Sequence, residues 1–179
     1  MADSRRRRFE ALFSEVYDPI QRYIGRRVGL VAVDDIVSET MLTLWRRMDD
    51  VPADALPWTY GVARRQIANH RRAGQRHLRL VKRAESEPRQ MGIEAHPLDA
   101  ELASAFSALG EADRELLRLW AWEQLEPAEI AVVRGLTSNA ASIRLHRAKK
   151  KLGENFEIAR KDQAFSGHSH HESSKEERP

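Results

Sequence analysis

Glu129-Ile130-Ala131-Val132-Val133-Arg134-Gly135-Leu136 runs straight into Thr137 and a basic segment, and it has the spacing of two helices crossing at a tight turn. Ala131 is a small residue four positions before a glycine, which lets the helices approach closely. Pro127 opens the first of them, where a proline's missing N–H costs no hydrogen bond. Thr137 can cap the second. On that second helix Ala141, Leu145, Ala148 and Leu152 form one stripe, expected to pack inward. Asn139, Ser142, Ile143, His146 and Arg147 are left facing out, a polar and basic set of the kind that reads base edges in a major groove. Lys149, Lys150 and Lys151 suit phosphates. The plainer reading is a helical hairpin with a solvated basic face.

Outward from this point the chain keeps the period of a helix. Upstream, Leu98, Leu102, Phe106 and Leu109, then Leu116, Leu117 and Trp120, recur at helical spacing. Residues 84–97 lose the pattern and gather Glu, Pro, Gly and Ser, which predicts a linker. At the other end Phe9, Leu12, Phe13, Val16, Tyr17, Ile20, Tyr23 and Ile24 form a helical stripe that Pro19 interrupts, so a kink or a break is expected near Asp18. A second helix over residues 33–48 would bury Val37, Thr40, Met41, Leu44 and Met48. Residues 49–57 read as a loop, and a third helix starts near Trp58 and runs past Arg72. The helix from Thr137 is expected to end near Leu152, with a polar, disordered tail over 153–179. No segment alternates with a period of two for long enough to make a strand.

Charge is blocked along the chain. Residues 1–54 hold 9 Lys/Arg against 10 acids, 55–84 hold 8 against none, and 85–129 hold 3 against 11. Residues 130–153 then hold 6 against none, and 154–179 hold 4 against 6. Two acid-free basic segments on either side of an acidic one point to two surfaces facing a polyanion.

Other classes are set aside on composition. The 179-residue chain has no cysteine, which removes disulfides and thiolate metal sites. No run approaches the roughly 18 apolar residues of a membrane span. The N-terminus has charge with no apolar segment behind it, unlike a secretory signal. A cytoplasmic protein is expected. His168, His170 and His171 are close enough in sequence to chelate a metal, but nothing periodic preorganises them, and neither a metal nor a cofactor is expected.

Two further sets stand out. Arg64, Arg65, Arg71, Arg72, Arg76, Arg79, Lys82 and Arg83 follow Pro57-Trp58-Thr59-Tyr60. Cations beside aromatics at a loop–helix junction can hold unstacked single-stranded bases, although Trp58 and Tyr60 also suit a core. On the second helix, Asp35, Ser38, Glu39, Leu42 and Arg46 form a stripe off the apolar face, which by itself is a solvated surface.

These segments, in order, resemble the extracytoplasmic-function sigma factors of bacterial RNA polymerase. Asp34-Asp35-Ile36-Val37-Ser38-Glu39-Thr40-Met41-Leu42-Thr43-Leu44-Trp45 is similar to the family's clamp-binding helix, and Pro57-Trp58-Thr59-Tyr60-Gly61-Val62-Ala63-Arg64 to the element that melts and reads the minus-ten region. Ser107-Ala108-Leu109-Gly110-Glu111-Ala112-Asp113-Arg114-Glu115-Leu116-Leu117 resembles the opening of the family's second domain. Thr137-Ser138-Asn139-Ala140 through Arg144-Leu145-His146-Arg147-Ala148 resembles its minus-thirty-five recognition helix.

The resemblance implies an all-α protein of two small helical domains joined by a flexible acidic linker. Residues 1–83 would be a region 2-like domain, 84–97 the linker, and 98–152 a region 4-like helix-turn-helix domain. Polymerase binding would fall to Asp35, Ser38, Glu39, Leu42 and Arg46. The minus-ten element would meet Trp58, Arg64, Arg65, Asn69, Arg71 and Arg72. The minus-thirty-five element would meet Ser138, Asn139, Ser142, Ile143, His146, Arg147 and Lys150. The implied partners are core RNA polymerase (largest-subunit clamp and flap), promoter DNA and, as a candidate, an anti-sigma factor, with no membrane and no catalysis.

The chain departs from the pattern at Arg65, commonly Asn, and at Asn69, commonly Asp, so minus-ten specificity does not carry across. Arg134 stands for a leucine, Glu126 for a Ser or Thr cap, and Ala141 for a frequent valine. A duplex-binding regulator that never enters polymerase would explain residues 126–152 but not the acid-free block at 55–84. A helical hydrolase has no supporting motif: there is no phosphate loop, no His-Glu-x-x-His and no Gly-x-Ser-x-Gly.

Overall fold

Helix α1 (Ala2–Gly25) contains Pro19 and is nevertheless one helix. Of the kink or break expected near Asp18, the break does not occur. Val16, Ile20, Tyr23 and Ile24 are all fully buried, and only an uninterrupted helix keeps that spacing on one face. After a 3-10 turn at Leu30–Ala32 comes α2 (Val33–Arg46), whose Val37, Thr40, Met41 and Leu44 are buried as expected. Met48, also buried, begins a second 3-10 turn, Met48–Asp50. Helix α3 (Ala55–Val81) starts three residues before Trp58, so Pro57 lies in its first turn, where proline is tolerated. The hydroxyl of Thr59 donates to the carbonyl of Ala55 at 2.7 Å, which satisfies the hydroxyl of a fully buried residue.

The remaining helices are α4 (Pro97–Ser107), α5 (Glu111–Ala121), α6 (Pro127–Arg134) and α7 (Ser138–His168). The computed structural model describes residues 2–81 and 97–168, and these contain no strand. They divide into two compact units: α1–α3 together with Leu119–Ala141, and α4 with the remainder of α5 and of α7. In the first unit α1, α2 and α3 pack on one another, and α6 packs on α3. Its centre holds Ile20, Tyr23, Ile24, Leu44 and Met48, all at most 1% exposed, each contributing roughly 1.5–3 kcal/mol of burial.

Gly135 closes α6 in the left-handed region at φ 64, where a side chain would be strained. The Leu136 N–H then reaches back to the Ala131 carbonyl at 2.9 Å. At the other end Glu126 takes the cap position, and its backbone N–H donates to the Glu129 carboxylate at 2.6 Å. Thr137 caps α7 as expected, accepting from the Ala140 N–H at 3.2 Å.

Helix α7 does not end near Leu152 but continues to His168. Beyond Gly153 the half-buried Asn155, Phe156 and Ala159 extend one face of the helix, and the Asn155 amide donates to the Ala105 carbonyl at 3.2 Å. Residues 169–179 of the expected tail lie outside the described residues.

Candidate nucleic-acid and protein interfaces

The outer face of α2 is open. Asp35, Ser38, Glu39, Leu42 and Arg46 are all exposed, on the side opposite the buried stripe. Beside them Phe13, Tyr17, Asp34, Val37, Ser38 and Met41 line a groove of about 260 Å³. Phe13 stacks on Tyr17 with centroids 4.8 Å apart, and Phe9 meets Trp45 edge-on at 5.2 Å. The sequence pattern grouped Phe9, Phe13 and Tyr17 in one helical stripe with Val16 and Ile20, yet all three are only half-buried. Their spacing of four, one step round from Val16 and Ile20, is the signal that separates them from it.

On α3 the aromatics divide. Tyr60 is buried and packs against Tyr23 at 4.9 Å, so it belongs to the core and not to a base-stacking surface. Burial is the main reason its phenol is pushed up to about 12, with the carboxylate of Glu123 adding to it and Arg26, Arg22 and Arg27 opposing. Trp58 is half-buried, with the Arg47 guanidinium 5.5 Å over its ring. Arg65, Asn69 and Arg72 follow Trp58 at helical spacing and are exposed. The Arg72 guanidinium donates to the Asn69 side-chain oxygen at 2.7 Å. Arg71 is also exposed but turns to the Arg27 carbonyl at 2.9 Å, and Arg64 is half-buried. The side chains of Arg76 and Arg79, with Lys82 and Arg83, lie outside the described residues.

On α7, Ala141, Leu145 and Ala148 are at most 4% exposed, while Leu152 is half-buried. Ser138, Asn139, Ser142, Ile143, His146, Arg147 and Lys150 are all exposed. The lysines differ: Lys151 pairs with Asp113 at 2.6 Å, and Lys150 faces Glu154 at 3.7 Å. Among the described residues no group of His, Asp or Glu could hold a metal ion. His170 and His171 lie outside those residues, as does the side chain of His168.

Residues 12–77 match the family model for sigma-70 region 2, and residues 99–152 match that for sigma-70 region 4. The chain is 30% identical over 155 residues to an ECF RNA polymerase sigma factor SigD of Mycobacterium tuberculosis, covering 78% of this chain and 73% of that one. The chain belongs to the ECF sigma factors. It is also 28% identical over 131 residues to the RNA polymerase sigma factor NccH of Alcaligenes xylosoxydans xylosoxydans, covering 67% of this chain and 70% of that one.

The fold of this sigma factor is similar to that of RpoE from Bartonella quintana, solved with the anti-sigma factor NepR. The TM-score is 0.62 at 16% identity, over 84% of this chain and 97% of that one. It is also similar to CnrH, solved with the cytosolic domain of CnrY, with a TM-score of 0.55 at 23% identity over 84% and 88% of the two chains. The ECF sigma factor is thus a transcription initiation factor that binds core RNA polymerase and directs promoter recognition. No helix among the described residues is long and apolar enough to cross a membrane. The region 4 match ends at Leu152, so the stretch of α7 from 153 to 168 continues past it.

Proposed function

We propose that this sigma factor uses three of its exposed faces in turn. The outer face of α2, through Asp35, Ser38, Glu39, Leu42 and Arg46, docks on the clamp of the largest polymerase subunit. The α3 surface, through Trp58, Arg64, Arg65, Asn69, Arg71 and Arg72, holds the melted minus-ten strand. The α7 surface reads the minus-thirty-five duplex through Ser138, Asn139, Ser142, Ile143, His146 and Arg147, with Lys150 on phosphate, while the domain of residues 98–152 meets the polymerase flap. Residues 84–97, rich in acid, follow the cationic path toward the active site. The chain acts by binding and catalyses nothing, in the cytoplasm. An anti-sigma factor is a candidate partner, supported by the complexes in which RpoE and CnrH were solved.

The observation that carries this reading is the split on α7. Leu145 is 4% exposed while its neighbours His146 and Arg147 are open, as a base-reading helix requires. The test is transcription by core polymerase with and without the protein, with start sites mapped. Start sites that require the protein and share sequences near minus ten and minus thirty-five are expected. A set unchanged by the protein would refute the reading.

A further inference from the structure

Two arginines of α3 are held differently from surface arginines elsewhere in the chain. Arg6, Arg47 and Arg160 each face a carboxylate within four residues, on Glu10, Asp50 and Glu157 respectively. Arg71 and Arg72 donate to neutral oxygens instead. Arg71 Nη2 reaches the Arg27 carbonyl at 2.9 Å. Arg72 Nη2 reaches Asn69 Oδ1 at 2.7 Å, and Arg72 Nε reaches the Ala68 carbonyl at 3.3 Å. A guanidinium has donors only, so the Asn69 atom that faces it must be the oxygen. That turns Asn69 Nδ2 toward Gln66 Oε1, at 3.5 Å, and Gln66 Nε2 donates in turn to Thr43 Oγ1 on α2 at 3.2 Å. The Thr43 hydroxyl donates to the Glu39 carbonyl at 2.9 Å. Each amide in this row therefore has one orientation, and the row is anchored on the backbone of α2.

We propose that Asn69 is a positioning residue for the minus-ten strand, which aims the Arg72 guanidinium without neutralising it. The inference rests on the assignment of this face of α3 to the minus-ten element made above. Asn69 is exposed and lies three residues before Arg72, a spacing at which Asp or Glu would form an ion pair on a helix surface. A carboxylate there would hold the guanidinium equally well but would cancel the charge that a phosphate has to meet. The amide offers the same acceptor geometry at zero charge, and it keeps residues 55–84 free of acid. Two of the five guanidinium N–H donors are spent on Asn69 and Ala68, and together they fix the plane of the fork. Its other donors suit a phosphate of the strand, which accepts paired bonds from arginine. An arginine already held in one orientation also gives up less side-chain freedom on meeting its ligand.

The test uses the holoenzyme, core polymerase with the full chain, and a fluorescent single-stranded oligonucleotide carrying the minus-ten sequence of a mapped start site. Binding is measured across a series of salt concentrations. Arg72→Ala should weaken binding about tenfold, the worth of a hydrogen bond to a charged group. It should also lower the salt slope by about 0.7, the share of one phosphate on a single strand. Asn69→Asp should reproduce both changes, although its side chain still accepts from Arg72. Asn69→Ala should weaken binding only about threefold and keep the parent slope, since the charge stays and its aim is lost. In the Arg72→Ala background Asn69→Ala should cost nothing further, because Asn69 acts through Arg72. Unfolding midpoints should match the parent throughout, as expected at exposed sites. Parent-like binding by either Asn69 variant, or an Asn69→Ala loss that persists without Arg72, would overturn the positioning role and leave the minus-ten assignment standing. Parent-like binding by Arg72→Ala would overturn the positioning role together with the place of Arg72 in that assignment.

Discussion

Arg5, near the start of α1, donates from Nη2 to the backbone carbonyl of Trp45 at 2.9 Å, and its guanidinium lies 5.3 Å from the centroid of the Trp45 ring. A cation thus meets the C-terminal end of α2, where carbonyls lack helical partners and the helix dipole is negative. Arg8 likewise donates to the Val51 carbonyl at 2.9 Å. Arg6 pairs with Glu10, and Arg7 with Asp3, on the surface of α1. The run of four arginines is therefore used within the fold. Arg5→Ala should lower stability by about 1 kcal/mol, the scale of a hydrogen bond from a partly exposed cation. Arg6→Ala should stay within about 0.5 kcal/mol. Thermal or urea unfolding of the two variants checks the difference.

Asp35 and Glu39 lie off the buried stripe of α2, so replacing both with Ala should change stability by no more than about 0.5 kcal/mol at each site. Binding to core polymerase should weaken, since a cationic clamp surface would lose two partners. Titration of labelled protein with core enzyme measures this directly, and unchanged affinity would remove the α2 face from the polymerase interface.

Positions two apart on α7 should fail in different ways. Leu145→Ala should destabilise by roughly 2–5 kcal/mol, the usual range for a truncated core leucine. Arg147→Ala should keep the fold and lose roughly 1–3 kcal/mol of discrimination at one or two minus-thirty-five positions, the worth of a bidentate contact to guanine. Melting curves and transcription from single-base promoter variants separate them. Equal weakening at every promoter would limit Arg147 to phosphate.

Tyr60 makes a prediction about alkaline pH. Its ordinary value of 10.0 is raised to about 12 in the fold, so between these values the folded phenol keeps a proton that the unfolded one has released. Stability from this group is whole below pH 10 and falls as pH rises toward 12. Denaturant midpoints measured across this window should decline, and Tyr60→Phe should flatten that part of the decline. An identical profile in the variant would assign the loss to other groups.

Where apolar spacing alone sets the structure, the sequence was readable. The buried stripe of α2, the Thr137 cap and the inward face of Ala141, Leu145 and Ala148 all follow from periodicity and turn chemistry. Pro19 does not break α1 because a helix-interior proline costs about 3 kcal/mol, less than the summed burial of Val16, Ile20, Tyr23 and Ile24 at roughly 1.5–3 kcal/mol each. Gly153 and Glu154 hide the continuation of α7, since the contact that extends it is polar and comes from Asn155. The half-buried Phe9, Phe13 and Tyr17 look like core because a helical wheel does not say how far round the neighbouring helices reach. Glu123 gave no signal, because its partner Arg27 is 96 residues away in the chain.

The unbroken run of α7 has a mechanical consequence. Its 31 residues span about 46 Å at 1.5 Å per residue. Asn155, just past its midpoint, is tied to the Ala105 carbonyl. A tilt of about 5° around that point moves the end bearing Ser142 and His146 by roughly 1–2 Å, comparable to the tolerance of a hydrogen bond to a base edge. On the minus-thirty-five assignment proposed above, a partner or a fused tag that bears on residues 160–168 would thus act on promoter choice as a lever, from outside the recognition surface and without touching DNA.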